Sequence, residues 1–429
     1  MMLSLTENLN DKKNLLITAS TFPRFSGDSE PMFIYDLAMY LSKYFEITVL
    51  VPADPNALLD EVITTEIGNI KVVRYRYAPT RKMETLAYPG AIIPRIKEKP
   101  IRVLLAPFLL LGLYRAIKKQ LKENDYSCVN AHWFMPQGAI QQLFYKKNNP
   151  PFLVSGLGND IWGLNDPINT SIKKRILKRT EKIIIVSNSM REKLYSIIKP
   201  DDTLTKEKIE VISMGCDVKK FSPKNKVNEY YKDNFNEYGT IILHVGRLTE
   251  KKGALYLINA MKEKILYDTD AKLVIVGDGP LKKSLEEHVA LFNLKDRVKF
   301  LGHTSHENLR VMYASCDIFC TPSVVAKNGD RDGFLTANIE ASASGVPIVT
   351  TKHTMSFVEN ETAYIVEDRN SEKLAKALYE LVTNKEERKR LGNNGVEWAK
   401  ELSWENIAVK YSKVINDIIK EKETVKNEQ

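Results

Sequence analysis

Four cysteines in 429 residues are too few for a disulfide framework, and only Cys316 and Cys320 lie near each other. No second cluster accompanies that pair, so zinc is not expected either, and buried thiols in a reducing compartment are. No stretch of 18 uninterrupted apolar residues occurs, so a membrane span is not indicated. The opening residues, MMLSLTENLNDKK, lack a basic segment followed by an apolar one, and no signal peptide is expected. No G-x-G-x-x-G opens a strand–helix unit, which argues against a dinucleotide-dependent redox enzyme. No Asp-x-Asp pair is read as a metal site, so no cofactor and no requirement for a divalent ion are expected.

What is present is ordinary globular material: 43% hydrophobic and 27% charged residues over a length that suits two domains. The net charge of +9 calls for an anionic partner. The cations are spread through helical stretches and form no recognisable nucleic-acid module, so nucleic acid is not expected.

Residues 1–13 read as a flexible tail. Apolar runs at 15–19, 47–51, 72–75, 128–130, 152–155, 182–187 and 209–212 read as strands, with helical stretches between them. Gly27 lies between the first strand and the helix 32–44, where a backbone without a side chain lets a phosphate or sugar approach, or where it simply turns the chain. His132 lies just past a strand end, at the carboxyl edge where open α/β sheets bind ligands, although a lone histidine is also a common structural residue. The loop GLGNDIWGL adds Asn159 and Asp160 as ligand-facing candidates. The stretch 101–123 has an apolar centre between Arg95, Lys97 and Lys99 on one side and Arg115, Lys118, Lys119 and Lys122 on the other. It reads as a buried core helix, or as one whose basic flanks rest on an anionic membrane surface. The polar run 224–238 reads as a linker.

The second half repeats the alternation, with strands at 240–245, 272–276, 298–301, 317–321, 348–350 and 363–366. After the first of these, Arg247 and Lys252 share one loop at a helix entry, a fork and a point charge suited to a pyrophosphate, or two solvated surface cations. The stretch 332–350, DGFLTANIEASASGVPIVT, places Asp332 before a short helix and Glu340 inside it, ending at Gly345. That pair suits a hydroxyl-rich, phosphorylated ligand, and also suits a capping Asp with an exposed helix Glu. Strands alternate with helices throughout, so each half is expected to be a parallel α/β sheet.

Taken together, HVGRLTEKKG (244–253), VGDGPLKKSLEE (276–287), FLGHTSHENLRVMYASCDIFCTPS (300–323) and DGFLTANIEASASGVPIVT (332–350) resemble the family 4 retaining glycosyltransferases. FPRFSGDSEP (22–31), NAHWFMPQG (130–138), GLGNDIWGL (156–164) and SMGCDVKKFSP (213–223) extend the resemblance over almost the whole chain. It implies a GT-B fold: two Rossmann-like domains facing each other across a cleft, an acceptor domain at 14–222 and a nucleotide-sugar domain at 223–397. A helix at 398–422 then crosses back, and 423–429 is frayed. It implies that Glu340 binds the ribose of a UDP- or GDP-linked sugar. Asp332, with the backbone N–H groups of Gly333, Phe334 and Leu335, approaches the sugar hydroxyls. The family usually carries Glu where this chain has Asp332, one methylene shorter. Arg247 and Lys252 hold the diphosphate, Gly27 lies near the phosphates, His132 near the transferred sugar and His303 near the base. The acceptor is then a glycan or lipid-linked intermediate of surface polysaccharide or glycolipid synthesis. The protein is expected to be cytoplasmic, peripheral on the inner membrane face. The alternatives are a non-catalytic nucleotide-sugar or glycan-binding protein, and a GT-B epimerase or phosphorylase, which would need an acid/base set or a cofactor lysine site of its own.

Overall fold

The computed structural model describes residues 12–427, apart from 26–27, 29–31, 89, 91, 164, 200–201, 238, 328, 333, 353–356 and 358. The chain forms two compact units, Met1–Ile212 with Ile407–Gln429, and Ser213–Asn406.

The first unit is built on strands β1 (Lys13–Thr18), β2 (Phe45–Pro52), β3 (Asp60–Thr64), β4 (Asn69–Tyr75), β5 (Cys128–His132), β6 (Phe152–Gly156), β7 (Lys182–Ile185) and β8 (Ile209–Val211). Their order is β3-β4-β2-β1-β5-β6-β7-β8. Every pairing is parallel except β3 with β4. That edge strand was absent from the sequence reading, because DEVIT alternates exposed and half-buried positions instead of forming an apolar run. Leu15, Leu16 and Ile17 are all fully buried, so both faces of the sheet centre are covered.

The second unit carries β9 (Ile241–Val245), β10 (Lys272–Val276), β11 (Val298–Gly302), β12 (Ile318–Thr321), β13 (Ile348–Thr351) and β14 (Ala363–Val366), in the order β11-β10-β9-β12-β13-β14 and parallel throughout. Neighbouring residues of β9 feed different cores: Ile242 packs with Leu257, Leu273 and Leu374, whereas Ile241 and Leu243 pack with Tyr313, Phe319 and Ile339.

Several sequence boundaries shift. The units divide at 212/213 and not at 222/223, because the Cys216 N–H donates to the Leu402 carbonyl at 2.9 Å, the Trp404 N–H donates to Cys216 at 3.1 Å, and Phe221 is buried in the second core. The polar run 224–238 is no free linker: Tyr231 is fully buried, its hydroxyl donates to the Met312 carbonyl at 2.7 Å, and Phe235 packs beside it. Lys13 begins β1, and residues 1–11 of the expected tail lie outside the described residues. The last helix runs Trp404–Asn427, beyond the expected fraying point, and Glu423 pairs with Lys13 at 2.8 Å. Residues 428–429 lie outside the described residues.

Ile407, Tyr411, Ile415 and Ile418 repeat at helical spacing and are all nearly or fully buried, so this helix is core for the first unit. Ile415→Ala should cost about 2–5 kcal/mol of stability, measured as the urea midpoint of the intact protein. A change within error would remove the helix from that core.

Candidate functional site

In an open parallel sheet, loops diverge where the strand order reverses, and that crevice lies at the carboxyl ends of the strands. In the second unit the chain runs outward from β9 through β10 to β11, then returns to β12 on the other side of β9. The reversal is therefore between β9 and β12. Lys252 follows β9 and Asp332 follows β12.

The two meet. Lys252 Nζ lies 3.0 Å from Asp332 Oδ2, and their side chains are only 17% and 6% exposed. Ser323, itself buried, donates its hydroxyl to the same oxygen at 3.0 Å. Lys251 Nζ stands 3.6 Å from Asp332 Oδ1 and 3.2 Å from Asp330. Asp330-Arg331-Asp332 is an Asp-x-Asp spacing that the sequence reading passed over. Lysine ammonium groups occupy both of its carboxylates. Asp332 thus caps no helix among the described residues: the helix Thr336–Ala343 starts without a side-chain cap, and its Asn338 N–H donates to the Leu335 carbonyl at 3.1 Å.

Gly253 makes the meeting possible. It holds φ +70°, and a Cβ there would lie 1.8 Å from the Pro322 carbonyl oxygen. Only glycine lets the turn 250–252 close on the loop after β12. The Val324 N–H then donates to the Lys251 carbonyl at 2.9 Å, and the Lys327 N–H to the Glu250 carboxylate at 3.2 Å.

His244, on β9, lies under this pair. Its Nδ1 is 2.8 Å from the Cys320 carbonyl, and its buried Nε2 has no hydrogen-bond partner among the described residues. Burial first, then Lys252, pushes its pKa down to about 4, against the opposing pull of the Cys320 carbonyl and Asp332. The imidazole is neutral at pH 7.

The remaining residues of this unit are placed separately. Arg247 is exposed and makes no ion pair among the described residues. Glu340 is half-buried on its helix, beside the Tyr313 hydroxyl, which burial and then the Glu340 charge hold protonated well above the usual range. That helix is fixed to the sheet by Thr321, whose hydroxyl bonds Asn338 at 2.8 Å and Thr350 at 3.0 Å. His303 is exposed just past β11. Phe334 is half-buried against the second core and Leu335 is buried. Gly333 lies outside the described residues.

In the first unit the order reverses between β1 and β5. His132 is the last residue of β5, not a residue past it, and is 1% exposed. Its Nε2 lies 3.2 Å from Asn130 Nδ2, and its Nδ1 has no partner among the described residues. Burial lowers its pKa to about 3. Trp133, the next residue, holds φ 73°, strained for a bulky side chain and a mark of a constrained edge. Ser20 and Gln137 bridge the two loops at 2.8–3.1 Å. Gly27 lies outside the described residues. Asp160 points its carboxylate at its own chain, accepting N–H bonds from Phe134 at 3.0 Å, Leu157 at 3.2 Å and Gly158 at 2.9 Å. It organises the loop that was read as facing a ligand. Asn159 opens the short helix Asn159–Trp162, and its side chain is outside the described set.

Sequence reasoning missed His244, Lys251 and Ser323. The first two sit inside HVGRLTEKKG, so the motif was visible while their roles were not. Ser323 closes the motif FLGHTSHENLRVMYASCDIFCTPS (300–323), but its partner is nine residues away across a loop, so its role was not visible either.

The pattern described as Glycosyl transferases group 1 matches residues 226–398, and that described as Glycosyltransferase Family 4 matches residues 32–220. An uncharacterized glycosyltransferase of Methanocaldococcus jannaschii is 27% identical over 313 residues, 72% of this chain and 80% of that one. The GDP-mannose-dependent alpha-(1-6)-phosphatidylinositol monomannoside mannosyltransferase of Mycobacterium tuberculosis is 26% identical over 265 residues, 60% of this chain and 67% of that one. Among solved structures, sucrose-phosphate synthase from Thermosynechococcus elongatus superposes with a TM-score of 0.73 at 20% identity, over 95% of this chain and 99% of that one.

Both buried histidines carry a pH signature. Unfolded, each takes a proton near pH 6.5; folded, neither does until about pH 4 or 3. Their contribution to stability is therefore whole above pH 6.5 and lost as the pH falls. Between pH 7 and 5 the wild type should lose about 2 kcal/mol more than His244→Gln in urea titrations. Parallel losses would show that His244 titrates normally.

Proposed function

Because this chain belongs to the family 4 glycosyltransferases, with the GT-B fold, we propose that it moves a sugar from a UDP- or GDP-linked donor to a glycan or lipid-linked acceptor, with retention at the anomeric carbon. The observation that carries the reading is the cluster at the β9/β12 reversal, where Lys252, Asp332 and an uncapped helix start converge. Lys252 exchanges Asp332 for the donor diphosphate, and Lys251 keeps Asp332 paired. Arg247, exposed on the same loop, adds the second cation. As the bond from the anomeric carbon to the phosphate oxygen breaks, negative charge grows on the diphosphate and these cations stabilise it. The acceptor oxygen bonds to the same face of the anomeric carbon, and its proton passes to a phosphate oxygen. Asp332 and the N–H groups of residues 333–335 receive the sugar hydroxyls. Glu340 receives the ribose and His303 borders the base. On the acceptor side we assign His132, kept neutral by burial, beside the transferred sugar, with Gly27 near the phosphates.

No divalent ion is assigned a part, since lysines already neutralise Asp330 and Asp332 and cations serve the diphosphate. The lipid-linked acceptor is suggested by the mycobacterial relative, whose name gives a phosphatidylinositol mannoside substrate. A cytoplasmic setting against an anionic membrane face is supported by four buried cysteine thiols and a net charge of +9.

A thermal-shift screen with UDP-, GDP- and ADP-sugars tests the donor. Saturation at about 100 Kd should stabilise the protein by about 2.7 kcal/mol with one nucleotide class. Glu340→Ala should remove that shift, and Lys252→Met should reduce kcat/KM at least about 100-fold, with Lys252→Arg partly active. No shift with any nucleotide sugar would overturn the reading. The anomer of the product by NMR decides retention.

A further inference from the structure

The stretch 92–123 contains the apolar run 101–123, only part of which is buried as the core-helix reading expects. It folds as a helix Ile92–Glu98, a 3-10 segment Pro100–Leu105 and a helix Ala106–Glu123. Leu109, Leu113 and Ile117 are buried in the first unit, and Gly112 brings the helix so near β4 that a Cβ would lie 2.8 Å from the Arg76 carbonyl oxygen. By length and composition Pro100–Glu123 is apolar enough to cross a membrane. Packing along one side, however, commits it to the sheet.

Its amino-terminal end is another matter. Ile101 is 63% exposed, Val103 51%, Leu104 64%, Phe108 50% and Leu111 43%. Leu110 is exposed too. At 100° per residue, Phe108 and Leu111 share one face of the helix Ala106–Glu123 with Arg115, Lys118 and Lys122, and Leu104 stands just before it in the 3-10 segment. That face is apolar for its first part and cationic for the rest. The run from Phe108 to Lys122 spans about 21 Å along the axis. Segment 92–123 holds eight cations against two acids, Glu98 and Glu123. Arg95 and Arg102 share Glu98, and Lys119 lies 3.9 Å from Glu123. Lys97, Lys99, Arg115, Lys118 and Lys122 make no ion pair among the described residues.

We infer that the exposed apolar side chains of this tip, Ile101, Val103, Leu104, Phe108 and Leu111, insert into the acyl layer of an anionic lipid bilayer while Arg115, Lys118 and Lys122 sit at its headgroups. Charge complementarity names the occupant: an apolar end followed at once by unpaired cations matches hydrocarbon below anionic phosphate. A helix lying flat would spread both kinds of residue along its length, whereas this order sends it in end first. The inference sharpens the membrane contact in the proposed function. It leaves the donor site in the second unit untouched.

The test uses the full chain and two vesicle preparations, phosphatidylcholine alone and phosphatidylcholine with one-third phosphatidylglycerol. The protein should co-sediment with the anionic vesicles. Leu104→Glu with Phe108→Glu should weaken that binding by more than about tenfold, since each buried side chain is worth roughly that factor. Phe108→Trp should gain emission that shifts to the blue and is quenched by acyl-brominated lipid beyond the wild-type background. Absence of wild-type binding overturns the inference. So does binding that survives the double Glu change, or an unquenched Phe108→Trp, which marks adsorption by charge alone. A dimer in light scattering that the double Glu variant dissociates, with no vesicle binding, assigns the face to a second copy instead. The nucleotide-sugar thermal shift, run on the same variants, should be unchanged. If that shift is missing in the wild type, the donor assignment fails and the vesicle result still stands.

Discussion

A single ion pair organises the second unit. Lys252 and Asp332 stand on loops that follow neighbouring strands, and both are largely withdrawn from water. A charge so placed is costly unless it is paired and hydrogen-bonded. Asp332 has two lysines and a serine hydroxyl around it, and Lys252 has Asp332. The pair holds the loop after β12 against the turn after β9, and Gly253 supplies the close backbone approach that it needs. The largely buried cation of the site is thus neutralised by the site's own carboxylate. Lys251, adjacent in sequence, stands 3.6 Å from the other oxygen of the same carboxylate.

The two units follow the same rule with different chemistry. Each sheet reverses its strand order once around its first strand, and each gathers polar side chains at that reversal. In the second unit these are charged and suited to phosphate. In the first they are neutral: Asn130, His132, Ser20 and Gln137 are buried and bonded to one another or left with an unpartnered ring nitrogen. Burial keeps His132 and His244 uncharged, so neither adds to the cationic charge of Arg247 and Lys252.

Much of this was legible in the chain. Apolar runs marked every parallel strand, because strands buried on both faces read as continuous hydrophobic stretches. The half-exposed β3 escaped for the opposite reason. Motif order carried the family, and with it the positions of Arg247, Lys252, Asp332 and Glu340. Asp160 misled, since a carboxylate in a glycine loop looks the same whether it faces a ligand or its own backbone; three N–H donors decide it. The run 224–238 misled as well, since aromatic residues scattered among polar ones gave no periodicity, yet Tyr231 and Phe235 bury.

What the sequence determined by itself was therefore composition-level and periodic: two α/β units, their strands, and the loops where chemistry gathers. Tertiary structure decided which charges meet. The contact of Lys252 with Asp332 spans eighty residues, and that of Cys216 with Leu402 far more. No local pattern encodes either. The same holds for residues 101–111: leucines that repeat at helical spacing look alike in sequence, and only packing separates Leu109 and Leu113, which face the sheet, from Leu104, Phe108 and Leu111, which face solvent. Hydrophobicity is a property of the residue, while burial belongs to its neighbours.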